Sequence, residues 1–222
     1  MNSSRVAATG TNGNDRRYFV PRAAGVLAVA LLVVVGARFL FDEAVPYLIH
    51  VSPDKFGRFW PDRAWLLTHI AGGGLALIVG PFQFWSGLQR RSMGIHRWTG
   101  RLYVGGVLIG GCAAFYLASQ AAAGATFGIS LGALGAAWWT TTGMAYLAIR
   151  RRQVSQHKEW MIRSFVVTFT FVTFRLWAEL GALQILGQES AATLVWLSWS
   201  MPLLATEVVL QGRKVMRRNG AV

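Results

Sequence analysis

Four histidines are the residues best suited to chemistry in this 222-residue sequence: His50, His69, His96 and His157. An imidazole ring gains and loses a proton near neutral pH, and it also ligates metal ions. The single cysteine, Cys112, excludes both a disulfide within the chain and a metal site built from cysteines. The first hypotheses about function therefore start from the histidines.

Two of these histidines have matching surroundings. His96 and His157 are each followed by a tryptophan and an arginine, just before a long apolar segment. If the two segments are neighbouring helices that enter a membrane from the same side, the imidazoles would face each other, as in bis-histidine ligation of haem iron. Nearby arginines would pair with the porphyrin propionates. This pattern gives a candidate b-type haem site, in which the two histidines are metal ligands only if haem iron is bound, and its other members are Arg97, Trp98, Arg101, Trp160 and Arg163.

The same residues have a second interpretation. Arginine, histidine and tryptophan are common at the cytoplasmic interface of any membrane protein. Gly73 and Gly100 lie four residues after His69 and His96, and so share a helix face with them. A glycine at that position leaves room for a flat ring or, equally, for a neighbouring helix. Haem binding and interfacial packing therefore both remain open.

Three further polar residues lie within apolar segments, where a charged side chain costs about 2.5–3.5 kcal/mol on insertion scales. Arg175 and Glu179 are four residues apart, so they can pair along one helix face. His69 lies near the start of another apolar segment. One interpretation is a self-compensating pair that fixes helix packing. The other is a ligand-binding polar cavity that opens to the outer side of a membrane and is lined by His69, Gln83, Arg175 and Glu179.

The elements that would position these residues are membrane-spanning helices. Hydrophobic residues make up 54% of the chain and charged residues 14%, whereas soluble domains carry about 25% charged residues. A span needs about 20 apolar residues, and its backbone polar groups must all be paired within the helix. The sequence therefore predicts an all-α, polytopic bundle with spans at 23–41, 64–89, two within 102–149, and at about 164–186 and 191–210.

The net charge of +13 is concentrated in short clusters between these apolar segments. The N-terminus, the loops at 90–101 and 150–163 and the C-terminus are basic, and the other three loops are mixed, neutral or acidic. This alternation predicts six transmembrane helices with both termini in the cytoplasm. It also points to an anionic bilayer as the partner of the basic loops, and not to nucleic acid.

The chain is accordingly divided into three parts. Residues 1–22 form a basic N-terminal tail, which we expect to be disordered because it is polar and rich in Asn, Ser and Gly. Residues 23–211 form the six-span transmembrane domain. Residues 212–222 form a basic C-terminal tail. A tight turn near Ala121–Gly128, with Gly124 and Gly128 at the bend, would join the third and fourth spans.

Several motifs resemble those of the bacterial predicted membrane proteins grouped as DUF2306 (domain of unknown function). They begin at His69 and continue through Gly80-Pro81-Phe82-Gln83-Phe84, His96-Arg97-Trp98-Thr99-Gly100-Arg101-Leu102-Tyr103-Val104, His157, Trp160-Met161-Ile162-Arg163-Ser164 and Arg175. The resemblance covers roughly residues 64 to 180. It implies a multi-pass protein of the bacterial inner membrane, but no activity. It also implies that one set of polar residues belongs to the family pattern: His69, Gln83, His96, Arg101, His157, Trp160, Arg163 and Arg175.

A weaker similarity points to cytochrome b561-like and ferric-reductase-like membrane proteins, which also place histidines on successive spans. The predicted fourth span has no histidine, so His69 lacks the expected partner. That similarity implies at most one haem, on the cytoplasmic side.

Three functions remain open. The first is electron transfer by a haem b held between His96 and His157. The second is haem-free binding or transport of a small ligand or lipid. The third is a structural role as a subunit of a membrane complex or as a homo-oligomer.

Overall fold

The computed structural model describes residues 27, 29–89, 92–186 and 190–219, and this part of the chain is helical with no strand. The all-α fold class is therefore confirmed. The predicted tail at 1–22, the start of the first span, Arg90, Arg91 and the turn at 187–189 lie outside the described residues.

The helices follow one another through short connections. The first, α1, covers residues 29–39 and continues as a π-helical turn, Leu40–Ala44. Three short pieces follow: α2 (Val45–Ile49), α3 (Pro53–Phe56) and a 3-10 turn at Gly57–Phe59. The remaining helices are α4 (Arg63–Gln89), α5 (Met93–Ser119), α6 (Ala125–Arg150), α7 (Val154–Thr168), α8 (Thr170–Glu179), α9 (Ala182–Leu186) and α10 (Ser190–Asn219).

Three described helices are long and apolar enough to cross a membrane: α4, α5 and α10. A fourth span results if α7 and α8, which meet at a 41° bend, are taken together. The 26-residue α6 matches the others in length, but Trp138, Trp139 and three adjacent threonines reduce its hydropathy. The chain is thus a membrane protein with several apolar helices.

Helices that are adjacent in sequence pack side by side, since α4 contacts α5, α5 contacts α6, and α6 contacts α7. The last helix, α10, lies against α6, α7 and α8. Such short connections produce antiparallel neighbours. The predicted turn is confirmed at Gly124, which has φ +95° and lies between the end of α5 at Ser119 and the start of α6 at Ala125. Gly128, also predicted at the bend, lies within α6 instead.

The backbones of α4 and α5 come into close contact where the two helices cross. A Cβ atom added at Gly72 would lie 2.6 Å from the Gly106 carbonyl oxygen and 2.8 Å from the Gly110 Cα. Only hydrogen at these positions lets the two backbones touch. Gly72, Gly106 and Gly110 are therefore packing positions, whereas a Cβ at Gly105 would have no neighbour within 4 Å.

Helix ends near the basic loops differ from the predicted ones. Helix α7 begins at Val154, inside the predicted loop at 150–163, and the chain bends at Phe169, five residues after the predicted start of the fifth span at 164. Helix α10 continues through the basic segment that begins at residue 212, as far as Asn219. The charged residues of α7 form ion pairs with α10 and can therefore be helical and partly buried.

Candidate functional site

A cavity of about 510 Å³ lies in the half of the bundle away from the basic loops. Helices α4, α5, α6, α7 and α8 contribute to its wall, and residues of the segment 39–59 also line it. Most of the lining is apolar or aromatic, including Phe39, Tyr47, Leu77, Phe127, Leu134, Trp138 and Phe171. The charged residues in the lining are Glu43, Arg58 and Arg175. The result is an apolar pocket with a few charges from the short segments and α8.

His69 is the ionisable ring in the cavity wall. Its Nδ1 lies 3.0 Å from the Gly110 carbonyl oxygen. A carbonyl only accepts hydrogen bonds, so Nδ1 carries the proton, and in the neutral ring Nε2 is the acceptor. Trp138 and Phe171 pack edge-on against the imidazole, with ring centroids at 6.4 and 5.9 Å. Nε2 makes no hydrogen bond to the described residues and is the ring nitrogen left for a ligand.

The charges near the cavity form a chain of ion pairs. Arg175 Nη2 lies 2.8 Å from Glu43 Oε1, and Arg175 Nε lies 3.7 Å from Glu179 Oε1. Arg38 then bridges Glu179, at 3.9 Å, and Asp42, at 3.4 Å. The pairing of Arg175 with Glu179 that their spacing predicts is present. The closer partner, Glu43, comes from the π-helical turn.

The four residues predicted to form one ligand site do not lie together. His69 and Arg175 line the cavity, and Glu179 contacts Arg175 without being part of the lining. Gln83 lies 14 residues further along α4 than His69, about 21 Å away along the helix axis. It is buried at the basic end of the bundle, where α4 ends and α5 begins. The single site of the prediction is therefore two separate polar regions.

At the basic end, His96 ties α5 to α4. Its Nδ1 lies 3.1 Å from the Ser86 hydroxyl, and its carbonyl accepts a hydrogen bond of 3.0 Å from the Gln83 amide. The same amide also donates to the Thr99 hydroxyl. A Cβ at Gly100 would lie 3.5 Å from Gln83 Oε1. The space beside Gly100 that was compatible with a flat ring is therefore occupied by a side chain of α4.

His157 and its neighbours tie α7 to α6 and α10. Nδ1 of His157 donates to the Ala145 carbonyl at 2.9 Å. Arg163 donates to Glu207 Oε2 from Nε at 2.9 Å and from Nη2 at 2.6 Å. Its guanidinium also lies 4.8 Å from the centroid of the Trp160 ring. The positive charge of Arg163 is therefore already matched within the protein.

The remaining members of the candidate haem site lie on the first turns of α5. Arg97, Trp98 and Arg101 are exposed, and the Arg101 guanidinium lies 5.9 Å from the Trp98 ring centroid. Neither of the two cavities identified is lined by His96 or His157. Within the described ranges, no group of three or more His, Cys, Asp or Glu residues is placed to hold a metal ion. His96 and His157 thus form hydrogen bonds between neighbouring helices, to Ser86 and to the Ala145 carbonyl.

A buried hydroxyl network joins α5, α6 and α7 in the core. The Tyr103 hydroxyl lies 2.9 Å from the Ser164 hydroxyl and 2.8 Å from that of Thr168. Thr142 contacts Ser164 at 2.7 Å, and the Trp138 indole N–H donates to Thr168 at 2.7 Å. The helices of the predicted third and fifth spans therefore touch. Tyr103 belongs to a motif of the family resemblance, but its contacts with Ser164 and Thr168 could not be predicted, because a hydroxyl in an apolar segment carries no signal of its partner.

The comparisons with known proteins identify the family to which this chain belongs. The family described as Predicted membrane protein (DUF2306) matches residues 66–210, which is more than half of the chain. No curated protein and no solved structure matches this chain. The similarity to cytochrome b561-like proteins is therefore not shown. The matched range includes both polar regions, the cavity wall of α4 to α8 and the basic end. This chain is a member of the DUF2306 family of predicted membrane proteins.

Proposed function

We propose that this protein spans the bacterial inner membrane six times, with both termini in the cytoplasm, and binds a small amphipathic ligand in the cavity beside His69. The alternation of basic and non-basic connections supports the six spans. Short antiparallel connections also support it, because they return α5 and α7 to the same end of the bundle. Bilayer lipid is then the partner of the apolar outer surface.

The cavity is the observation that carries the ligand proposal. Its volume of about 510 Å³ lies within the roughly 300–1,000 Å³ typical of small-molecule sites. Its walls are mostly apolar, and its polar groups are Nε2 of His69, the charges of Glu43, Arg58 and Arg175, and the hydroxyls of Tyr47 and Thr168. Such a lining suits a molecule with an apolar body and a polar head. Nε2 of His69 would accept a hydrogen bond from a ligand hydroxyl or a bridging water.

The cavity does not extend along the full length of α4, and this favours binding of a ligand over its transport. Along α4 the lining ends at Leu77, 12 residues before the helix ends at Gln89. That distance corresponds to about 18 Å of packed helix. The region between contains the buried contacts of Gln83 and Ser86 with α5. A transporter would need this region to open.

A filled cavity tests the proposal. Gly73 lines the cavity, and a Cβ added there would meet only Trp138, at 3.9 Å. We expect Gly73→Leu to fold and to abolish saturable binding of a fluorescent single-chain probe, cis-parinaryl alcohol. Gly143→Leu is the matched control, because a Cβ at Gly143 on α6 has no neighbour within 4 Å and Gly143 does not line the cavity.

The measurement is energy transfer from tryptophan, including Trp138 in the cavity wall, to the bound polyene in detergent-purified protein. Loss of binding in Gly73→Leu alone would support the cavity as the site. Equal binding by the wild type and both variants would place the probe on the outer surface and contradict the proposal.

A haem between His96 and His157 is the second candidate, and one observation favours it. Tyr103 and Ser164 are hydrogen bonded, and each lies seven residues, or about two turns, after one of the histidines. The imidazoles thus lie at a similar level on neighbouring helices. We nevertheless expect purified protein from haem-replete cells to show no Soret band, because Arg163 is already paired and the space at Gly100 is filled. A Soret band that is lost in His96→Ala would instead establish the haem.

A purely structural role in a membrane complex or a homo-oligomer has no specific contact in its favour. Tolerance of substitutions at the cavity wall, combined with co-purification of another membrane protein, would support that role.

A further inference from the structure

Arg58 differs from the other charged residues that line the cavity. The positive charge of Arg175 is matched by Glu43 at 2.8 Å and by Glu179 at 3.7 Å. Arg58 has no carboxylate within 4.0 Å among the residues that the structure describes. The three charged lining residues are two arginines and one glutamate, so the lining carries a net charge of +1.

The position of Arg58 is fixed by aromatic packing. Its guanidinium carbon lies 4.5 Å from the centroid of the Phe59 ring. The preceding turn is anchored by Phe56, which is 2% exposed and packs edge-on against Tyr47 and Trp60 at 5.3 and 6.0 Å. The hydroxyl of Ser52 caps this turn by accepting from the Lys55 N–H. Arg58 is exposed, and it places a cation without a carboxylate partner at the cavity lining, where its guanidinium packs against an aromatic ring.

The remainder of the cavity is long and apolar. Its lining on α4 runs from Leu66 to Leu77, a rise of about 16 Å. From His69 to Leu77 the rise is about 12 Å, and the α4 residues that line it there are Ile70, two glycines and Leu77. The facing wall on α6 includes Leu131, Leu134 and Trp138. This part matches a hydrocarbon chain, since it offers area for apolar contact and few polar groups to satisfy.

We propose that the ligand is a single-chain amphiphile with an anionic head group, such as a carboxylate or a phosphate. The head contacts Arg58, and the chain extends past His69 towards Leu77 and Trp138. This assignment rests on the proposed ligand-binding function and specifies the chemical class of its ligand. A planar guanidinium binds such oxyanions through paired N–H donors.

A cationic head group fits this lining poorly. Glu43 would be its partner, and Glu43 is already paired with Arg175 at 2.8 Å. Binding a cation there would leave Arg175 with the longer 3.7 Å contact to Glu179 and would bring the cation near Arg58. Repulsion between the positive charges of the cation and Arg58 opposes such binding.

The test compares cis-parinaric acid with cis-parinaryl alcohol, which share one chain and differ in the charge of the head. Both are titrated into detergent-purified full-length protein at a pH well above the pKa of an ordinary carboxyl group, ~4.3, so that the acid is ionised. We expect the wild type to bind the acid about tenfold more tightly than the alcohol, the gain of one charge-assisted contact. Arg58→Gln should remove this difference, because the acid loses its charge-assisted contact.

Two further variants make the test specific. Arg63→Gln is the matched control: Arg63 packs on Trp60 at 4.5 Å much as Arg58 packs on Phe59, but it does not line the cavity. It should leave both affinities unchanged. Glu43→Gln removes the closest partner of Arg175 and should increase the affinity for the acid several-fold.

The outcomes separate the two proposals. Equal affinity of the wild type for acid and alcohol, with both lost in Gly73→Leu, would overturn the anionic head group and leave the cavity as a ligand site. A preference for the acid that survives Arg58→Gln would also overturn the role of Arg58. Absence of saturable binding for either probe would remove the ligand-binding function, and this inference with it.

Discussion

The crossing of α4 and α5 at Gly72 gives the sharpest stability prediction. We expect Gly72→Ala to destabilise the protein although alanine is the better helix former by about 1 kcal/mol. A Cβ at Gly72 would lie 2.6 Å from the Gly106 carbonyl oxygen and 2.8 Å from the Gly110 Cα and amide nitrogen. All three neighbours are backbone atoms of α5, so no side chain can rotate away to make room.

The size of the effect follows from these distances. Ordinary van der Waals contact begins at 3.4 Å, so a contact of 2.6 Å requires the two helices to separate by about 0.8 Å. That displacement would stretch the 3.0 Å hydrogen bond from His69 to the Gly110 carbonyl. Overpacking of this kind typically costs about 1–3 kcal/mol. For a chain of this size, such a loss lowers the melting temperature by roughly 2–10 °C.

The melting temperature is measured by heating detergent-purified protein and monitoring the loss of the folded peak by size-exclusion chromatography. Gly105→Ala is the matched control, because Gly105 lies beside Gly106 on α5 and a Cβ there has no neighbour within 4 Å. We expect its melting temperature to equal or exceed that of the wild type. If Gly72→Ala and Gly105→Ala melted together, the close backbone approach of α4 and α5 would be refuted.

Two further predictions concern the buried polar contacts. Glu207→Gln should destabilise the protein by about 1–3 kcal/mol, because Arg163 is 8% exposed and would keep only its 3.8 Å contact with the Glu159 carboxylate. A double variant that also carries Arg163→Met should recover part of this loss. Equal melting temperatures of Glu207→Gln and the wild type would contradict the prediction. Tyr103→Phe should lower the free energy of unfolding by about 1 kcal/mol or more, because the hydroxyls of Ser164 and Thr168 lose a partner. Tyr116→Phe, which removes a hydrogen bond to Asp62 near the end of α5, should cost less in the same melting assay.

The helical architecture was accessible from the sequence because its determinants are local. The length of an apolar segment and the sign of the flanking charges are read without knowing what packs against what. The turn at Gly124 was accessible for the same reason, since glycine tolerates the positive φ of +95° found there. The packing role of Gly72 could also be predicted, because small residues mark close helix contacts in membranes.

The helix ends at the basic loops were not accessible, because they depend on partners distant in sequence. Arg163 was assigned to a loop on account of its charge. Its charge is instead neutralised by Glu207, 44 residues later, so α7 can start at Val154 and bury it. The same reason explains why Glu43 was missed as the closest partner of Arg175. Charge predicts exposure only when no opposite charge lies nearby in space.

The contrast between the two ends of the bundle determines where function should be sought. At the basic end, the groups that suggested haem ligation bond to other parts of the protein, His96 to Ser86, His157 to Ala145 and Arg163 to Glu207. In the cavity wall, Nε2 of His69 has no hydrogen-bond partner among the described residues, and the exposed guanidinium of Arg58 has no carboxylate partner there. A ring nitrogen in an apolar wall needs a ligand or a water molecule as its partner. A helix contact has no use for such groups, whereas a binding site requires them, and this asymmetry favours the cavity over the matched histidines as the functional centre.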